Sequence, residues 1–205
     1  MKNWYNKWAA GIIVIGIGIA GGVFVVTAVH ALWYAPEQEA LSPTLAYRAP
    51  SRTVSPQEAP QRLRIPALNI DAAIQYVGIT KKGEMGVPSN YSDVAWYKYG
   101  PVPGQVGSAV IDGHVDNGLG LSGVFKRLSN IQIGDDVYVD TKKGSTLHFV
   151  VVDIELYPYQ QAPTETIFNR SDAARLNLIT CEGVWIKGDK TYDQRLVVYT
   201  MLVAS

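Results

Sequence analysis

Three side chains of this sequence combine a nucleophile, a proton carrier and a fixed cation. Cys181, the only cysteine, follows the strand-like run RLNLIT at 175–180, and His114 follows GSAVIDG at 107–113. Arg195 lies near the start of a third such run. Strand ends that open into loops are positions where a rigid scaffold presents reactive groups. An activated thiol attacks acyl groups, and a cation stabilises the oxyanion that forms. The alternative is that Cys181 is a small buried residue.

The composition excludes several other kinds of site. The 205 residues carry 18 Lys and Arg against 18 Asp and Glu, so the formal net charge is zero and no basic excess indicates a nucleic-acid partner. A single cysteine excludes an intramolecular disulfide and a multi-thiolate metal site. Glu84, Asp112 and Asp116 are scattered and do not form a calcium-loop pattern. We therefore expect no metal and no cofactor.

An apolar segment near the N-terminus predicts where the chain resides. Residues 8–29 contain no charged side chain over 22 positions, enough for a helix to span a hydrocarbon core of about 30 Å. Lys2 and Lys7 precede it, so the positive-inside bias keeps residues 1–7 in the cytoplasm. We predict a transmembrane signal anchor at 8–30 that holds the rest of the chain outside the plasma membrane. The alternative, a cleaved signal peptide, usually has a shorter apolar core.

The next segment, residues 31–61, has little apolar periodicity and is rich in proline. Such a composition is typical of an extended, partly disordered tether. It either lets a domain reach away from a bilayer or is a plain spacer. We place the folded domain at 62–205. The prolines of the tether are Pro36, Pro43, Pro50, Pro56 and Pro60.

Short β-branched and aromatic runs, bounded by Gly, Pro, Asn and Asp, dominate the rest of the chain. Seven or eight such strands within about 140 residues predict a mainly β fold with a closed or nearly closed barrel. Helical signals are few: we predict a turn or two at 92–97, at 121–129, where Ser122 suits the cap, and at 163–168. The predicted strands cover 62–66, 72–79, 107–113, 135–141, 146–157, 175–180 and 194–203.

The motifs around the three reactive residues resemble one known family. SAVIDGHVDN contains His114, NLITC ends at Cys181 67 positions after that histidine, and YDQRLVVYT contains Arg195. This order resembles the sortase family, whose pattern is a GH-containing loop, a TLxTC strand end and an Arg on the following strand. The nearest subgroup is class F, with classes D and E as alternatives. Asn177 replaces the first Thr of TLxTC, and Glu182 follows the cysteine. A carboxylate beside the thiol disfavours the thiolate, unless strand alternation turns it away.

The resemblance implies a closed eight-stranded sortase-type barrel and a two-step acyl transfer. It assigns Cys181 as the nucleophile, His114 as the general acid and base, and Arg195 to substrate positioning and oxyanion stabilisation. The implied substrate is a surface protein with an LPxTG-like C-terminal sorting signal, which is cleaved between Thr and Gly. The thioacyl enzyme then passes that protein to an amine, such as that of a peptidoglycan precursor.

Further residues are candidates for supporting roles. Thr180 and, in the connection between the two longest strand signals, Pro163 and Thr164 are candidates for peptide contacts. Asp112 and Asp116 lie two residues before and after the histidine, so either is placed to orient the imidazole. For Pro163, Thr164, Asp112 and Asp116, ordinary loop structure is the competing explanation.

Two other functions stay open: a cysteine peptidase of the same fold that releases its product to water, and a non-catalytic barrel that binds wall peptides.

Overall fold

The chain divides into two compact units, Met1–Ala35 and Pro36–Ser205. Most of the predicted N-terminus 1–7, anchor 8–30 and tether 31–61 lies outside the residues that the structure describes. Within the described parts, no helix combines the length and the apolar character needed to cross a membrane. The structure, a computed structural model, describes Val23, which is helical, and residues 41–42, 58–116 and 121–203.

Eight strands make up most of the described domain, and they close into a barrel. Neighbouring strands follow the order β1-β2-β3-β4-β7-β8-β6-β5, and β5 pairs with β1. The predicted fold class, mainly β with a closed eight-stranded barrel, is therefore confirmed. The strands are β1 (Pro60–Ile65), β2 (Ile70–Val77), β3 (Val94–Tyr97), β4 (Gly107–Gly113), β5 (Asp136–Thr141), β6 (Thr146–Pro158), β7 (Ala174–Ile186) and β8 (Thr191–Leu202).

Two of the three predicted helical segments differ in the structure. Residues 92–97 contribute β3 instead, and all four residues of this strand are buried. Burial on both faces removes the alternation by which a strand is recognised in sequence. Residues 121–129 form turns that lead into the 3-10 helix Leu128–Asn130, and Ser122 lies in an isolated β-bridge instead of capping a helix. The third segment forms the α-helix α1, Thr164–Phe168.

Side chains of β4, β7 and β8 alternate between the interior of the barrel and its outer surface. Ile111, Leu178 and Val198 belong to the interior cluster. Their neighbours one residue along the chain face outward, and side chains of α1 pack with them. We call this second apolar group the outer cluster. It consists of Leu41, Met85, Tyr97, Val110, Ile167, Phe168, Ile179, Val197 and Tyr199.

Candidate active site

Parallel pairing of β4 and β7 brings His114 and Cys181 to neighbouring positions. Asp112 lies opposite Ile179 in the register, and the histidine and the cysteine each follow by two residues. Side chains two residues apart on a strand share a face, and adjacent strands are about 4.8 Å apart. The register therefore carries the imidazole and the thiol to the same outer face, next to the outer cluster.

Thr180 does not line a groove as predicted. It is fully buried, and alternation puts it on the opposite face of β7 from the cysteine. Its hydroxyl donates a hydrogen bond to the carbonyl oxygen of Gly113 at 2.7 Å. Because Gly113 directly precedes the histidine, this bond fixes the end of β4 against the end of β7. Thr180 thus positions the two reactive side chains from within the wall of the barrel.

Antiparallel pairing of β7 and β8 places Arg195 directly opposite Cys181. Arg195 is only 3% exposed. Its Nη1 donates to the carbonyl oxygens of Tyr192 at 2.9 Å and Gln194 at 3.0 Å, and Nη2 donates to Thr191 Oγ1 at 2.7 Å. A buried guanidinium with several fixed bonds is a preorganised cation, which is what a developing oxyanion requires.

A backbone carbonyl fixes the ring of His114, which is 2% exposed. Nε2 lies 2.9 Å from the carbonyl oxygen of Pro88. Since a carbonyl oxygen only accepts, Nε2 carries the proton, and Nδ1 carries the lone pair of the neutral ring. Burial lowers the pKa of His114 from its usual 6.5, while the Pro88 bond and the charge of Asp116 oppose that shift. The imidazole is therefore neutral at pH 7, with Nδ1 as its basic atom.

A glycine lets residues after β4 pass close to the backbone of the histidine. A Cβ atom on Gly123 would lie 2.2 Å from the carbonyl oxygen of His114, so no larger residue fits there. That oxygen accepts the backbone N–H of Phe125 at 2.9 Å, and the N–H of Gly123 donates to the carbonyl of Val115 at 2.9 Å. These bonds anchor the backbone on both sides of the imidazole.

The thiol of Cys181 stays protonated at neutral pH. Desolvation raises the pKa of this partly buried residue from 9.0 to about 11. The charge of Arg195 and a hydrogen bond from the backbone of Tyr192 oppose the shift, whereas the charges of Asp112 and Asp116 add to it. A pKa of about 11 leaves about one thiolate in 10⁴ molecules at pH 7. The resting pair is a neutral thiol and a neutral imidazole, so proton transfer has to accompany bond formation.

The two aspartates beside the histidine have different surroundings. Asp112 as a residue is partly exposed, yet its carboxyl group is withdrawn from solvent. This desolvation raises the pKa of Asp112 to about 7, against the attraction of Arg195. Asp116 accepts a hydrogen bond from the hydroxyl of Tyr192, and burial together with this bond raises the pKa of the phenol. Asp116 thereby connects the segment after β4 to the start of β8.

Glu182 turns away from the thiol beside it. Strand alternation puts its side chain on the face opposite to Cys181, and its Oε1 lies 3.4 Å from the backbone nitrogen of Gly183. Gly183 has a φ of +89°, which favours glycine, and the register of β7 against β8 shifts between Glu182 and Trp185. Glu182 itself still pairs with Gln194, so the alternation that turns it away from the thiol holds up to the bulge.

The connection between β6 and β7 forms a wall beside the site. Pro163 and Thr164 lie half-buried at the start of α1, where their predicted contact with a peptide stays a prediction. Instead, Ile167 and Phe168 of this connection belong to the outer cluster, and Ala162 packs against it. Asn177, the departure from the family pattern, fastens this wall to β7, because its Nδ2 donates to the carbonyl of Ile167 at 2.6 Å.

Sequence reasoning missed the groups that hold the three reactive side chains. Pro88 contacts His114 from 26 positions away through a carbonyl, which every residue has, so no residue type signals the contact. Thr191 bonds the guanidinium of Arg195, and the ring of Tyr159 faces it at 5.5 Å. The feature of the sequence that could have indicated partners for Arg195 is the cluster of aromatic and hydroxyl residues just before it.

No group of three or more His, Cys, Asp or Glu side chains is placed to hold a metal ion among the described residues. The expectation that the protein uses no metal and no cofactor stays a prediction.

Comparisons with known proteins identify the family. The sortase domain pattern matches residues 63–203. Among solved structures, sortase C-1 from Actinomyces oris is 21% identical, with 83% of this chain and 90% of that chain covered and a TM-score of 0.57. A lid mutant of sortase A from Corynebacterium diphtheriae is 21% identical, with 76% and 75% covered and a TM-score of 0.55. The sortase D5 transpeptidase from Clostridium perfringens is 16% identical, with 71% and 79% covered and a TM-score of 0.51. Among curated proteins, no sequence match was found.

The closed barrel and the matched domain define a cysteine transpeptidase. Because the sortase domain pattern matches more than half of the sequence, the chain belongs to the sortase family. The structural neighbours share the fold at 16% to 21% identity and come from more than one sortase class, so they do not decide the class of this chain.

Proposed function

We propose that this chain is a class F-type sortase, anchored in the plasma membrane by residues 8–30 with its catalytic domain outside. Its substrate is a surface protein with an LPxTG-like sorting signal, and its acceptor is an amine such as that of a peptidoglycan precursor. The observation that carries the proposal is the strand register, with Arg195 opposite Cys181 and His114 at the matching position of the next strand. The outer cluster beside them suits an aliphatic side chain of the signal.

In the proposed first step, the thiol loses its proton as the carbon–sulfur bond forms. Sγ of Cys181 bonds to the threonyl carbonyl carbon of the signal while Nδ1 of His114 takes the proton. Arg195 donates hydrogen bonds to the oxyanion of the tetrahedral intermediate. The carbon–nitrogen bond then breaks, and His114 returns the proton to the departing glycyl nitrogen. The product is a thioester between Cys181 and the threonine.

In the proposed second step, an amine attacks the thioester carbonyl and passes a proton to His114. Arg195 again stabilises the oxyanion, and collapse expels the sulfur of Cys181, which regains a proton from the imidazolium. The new bond is an amide between the threonine and the acceptor. Water that attacks in place of the amine gives hydrolysis, which is the activity of the peptidase alternative.

The test is capture of the thioester. The full chain in detergent is incubated with an LPxTG-like peptide, with and without an amine acceptor, and followed by intact mass spectrometry. We expect an adduct with the mass of the peptide up to its threonine, and amide product only when the amine is present. Cys181→Ala and His114→Ala form no adduct, whereas His148→Ala does, because His148 pairs with Asp136 elsewhere on the barrel. Product from water alone indicates the peptidase, and an adduct on Cys181→Ala would overturn the assignment.

A further inference from the structure

An aromatic ring lies against the guanidinium of Arg195. The ring of Tyr159 faces the guanidinium carbon, with its centroid 5.5 Å away. Tyr159 begins the 3-10 helix Tyr159–Gln161, which follows β6 directly. The negative face of an aromatic ring attracts a guanidinium, and the attraction is stronger where water is excluded. Arg195 is only 3% exposed, so the contact is of this stronger kind.

The strand register explains how this ring reaches the reactive face. Arg195 pairs with Cys181 of β7 on one side and with Tyr157 of β6 on the other. Residues that pair directly across strands share a face of the sheet. Because β6 ends at Pro158, Tyr159 is the first residue beyond the paired strand. The guanidinium therefore has the strand of the thiol on one side and the strand that leads to the ring on the other.

Hydrogen bonds also hold the hydroxyl end of the ring. The hydroxyl of Tyr159 donates to the carboxylate of Asp189, which lies in the turn between β7 and β8. It also accepts a hydrogen bond from Nε2 of Gln160 at 2.8 Å. The ring is thus fixed at its backbone by the end of β6 and at its hydroxyl by the turn that follows the strand of Cys181. Both attachments keep its face directed at the guanidinium.

The contacts of Arg195 fix its position without cancelling its charge. Its bonds go to the carbonyls of Tyr192 and Gln194 and to the hydroxyl of Thr191, all of which are neutral groups. An aromatic ring is neutral as well and attracts a cation through its quadrupole. A cation held by neutral partners keeps its charge for a developing oxyanion, as a preorganised site requires.

We propose that Tyr159 is a positioning residue, whose ring holds the guanidinium of Arg195 in the orientation that stabilises the oxyanion. The inference rests on the proposed function, because the ring acts on the reaction through the oxyanion role of Arg195. Without the ring, one side of the guanidinium is left to water, and water weakens the electrostatic interactions of the site. Loss of the ring therefore slows the chemical step rather than the binding of the peptide.

The test compares the full chain in detergent with Tyr159→Leu, with Tyr159→Phe and with a trifluorinated form of Tyr159→Phe. Leucine removes the aromatic face, so we expect kcat for an LPxTG-like peptide to fall about tenfold with KM unchanged, the size of one desolvated cation–π contact. Phenylalanine keeps the face and should keep kcat within about threefold of the parent value. Fluorine withdraws electron density from the face and leaves the shape almost unchanged, so kcat of the trifluorinated form should approach that of Tyr159→Leu. Equal kcat for the two phenylalanine forms would overturn the proposal.

Tyr138→Leu is the matched control. Arg64 lies over the ring of Tyr138 at 5.3 Å and pairs with Asp140 away from the site. Loss of that contact should leave kcat and KM unchanged. An equal fall of kcat in both leucine variants would assign the effect to the stability of the barrel and overturn the positioning role. A rise of KM with unchanged kcat in Tyr159→Leu would also overturn it, because the ring would then contact the peptide.

A spectroscopic measurement without chemistry separates failure of the positioning role from failure of the proposed function. In the full chain with isotope-labelled arginine, the guanidinium signal that is absent from Arg195→Lys belongs to Arg195. We expect its ring-current shift to disappear and its protons to exchange faster in Tyr159→Leu, and both to stay as in the parent in Tyr159→Phe. This result with no thioacyl adduct in the parent chain would support the hold of the ring on Arg195 and overturn the proposed chemistry. An adduct that forms with equal kcat in the parent chain and in Tyr159→Leu would overturn the positioning role.

Discussion

At the scale of single residues, desolvation keeps both proton-transfer groups of the site neutral. Burial raises the pKa of Cys181 to about 11 and lowers the pKa of His114, so neither a free thiolate nor an ion pair is the resting form. Since the thiolate is the reactive form of cysteine, the resting thiol is slow to react with oxidants and alkylating agents. In the proposed mechanism, it reacts when a bound peptide supplies a carbonyl carbon and the imidazole takes the proton.

The raised pKa of Cys181 is directly measurable, because the chain has one cysteine and alkylation therefore reports a single site. We expect the rate of iodoacetamide modification to increase about tenfold per pH unit across pH 7 to 9.5, without levelling near the ordinary value of 9.0. The rate is measured by mass spectrometry in the absence of peptide. A plateau below pH 9 would show that the thiol is better solvated or more strongly paired with a cation than described.

Asp112→Asn is expected to move the same titration to lower pH. The Asp112 charge raises the pKa of Cys181, so its removal lowers that pKa and speeds alkylation at pH 8. Asp136→Asn is the matched control, because it removes the same charge from the exposed start of β5 and leaves the alkylation rate unchanged. Slower alkylation in Asp112→Asn would contradict the described electrostatics.

Arg195→Lys is expected to lower kcat for the peptide by about 10² to 10³, the usual effect of losing an oxyanion donor. One ammonium group on a flexible stem cannot bond the carbonyls of Tyr192 and Gln194 and the hydroxyl of Thr191 while also facing the oxyanion. The control is Arg64→Lys, which changes an arginine paired with Asp140 away from the site. The measurement is kcat from steady-state kinetics. A kcat of Arg195→Lys within about threefold of the parent value would show that Arg195 does not stabilise the oxyanion.

At the scale of elements, strands were predictable where the run of β-branched and aromatic residues is long. β4 has the predicted bounds, Gly107–Gly113, and β5 begins one residue later than predicted. β3 was missed, because it is only four residues long and its buried residues show no alternation. β7 continues to Ile186, beyond its predicted end at 180, because the bulge after the cysteine lets the hairpin pairing resume. Whether β7 pairs again after the bulge depends on contacts with β8, and a local sequence pattern does not reveal these contacts.

The candidate site was predictable only for residues whose type is uncommon. A single cysteine, and histidine and arginine at strand–loop junctions, stand out in the sequence. Pro88 contributes a carbonyl, and Leu41 is an aliphatic residue in a proline-rich segment, so neither carries a signal of its position. Thr180 was predicted to face a groove and instead faces inward, because one position along a strand reverses the direction of a side chain.

Asn177→Ala is expected to loosen α1 without disturbing the barrel. The change removes the hydrogen bond from Nδ2 to the carbonyl of Ile167 and lowers the free energy of unfolding by about 1 kcal/mol. Amide exchange within Thr164–Phe168 becomes faster, as measured by mass spectrometry. Thr200→Val is the matched control, because it removes a buried hydrogen bond to Leu176 on β7 and leaves exchange in α1 unchanged. Unchanged exchange in both variants would mean that packing alone holds the helix.

At the scale of the whole molecule, the barrel provides the stability that an unfavourable site requires. Pairing of β1 with β5 closes the sheet, so the described strands leave no open edge, and the interior cluster fills the space within. Against this, the site withdraws the carboxyl group of Asp112 from water. Active sites commonly retain such groups at a cost in stability, and replacing them commonly stabilises the protein.

The unfavourable burial of the Asp112 carboxyl group predicts how the free energy of unfolding changes with pH. Its pKa is about 7 in the folded chain and 3.8 when unperturbed, so between these values the folded state holds a proton that the unfolded state has lost. The contribution of Asp112 to the free energy of unfolding therefore falls as pH rises from about 4 to 7 and is constant above that. Urea unfolding of Asp112→Asn should match the parent near pH 4 and exceed it by about 2–4 kcal/mol at pH 8, allowing for partial exposure. A difference that is equal at pH 4 and pH 8 would mean that Asp112 acts through packing rather than through its charge.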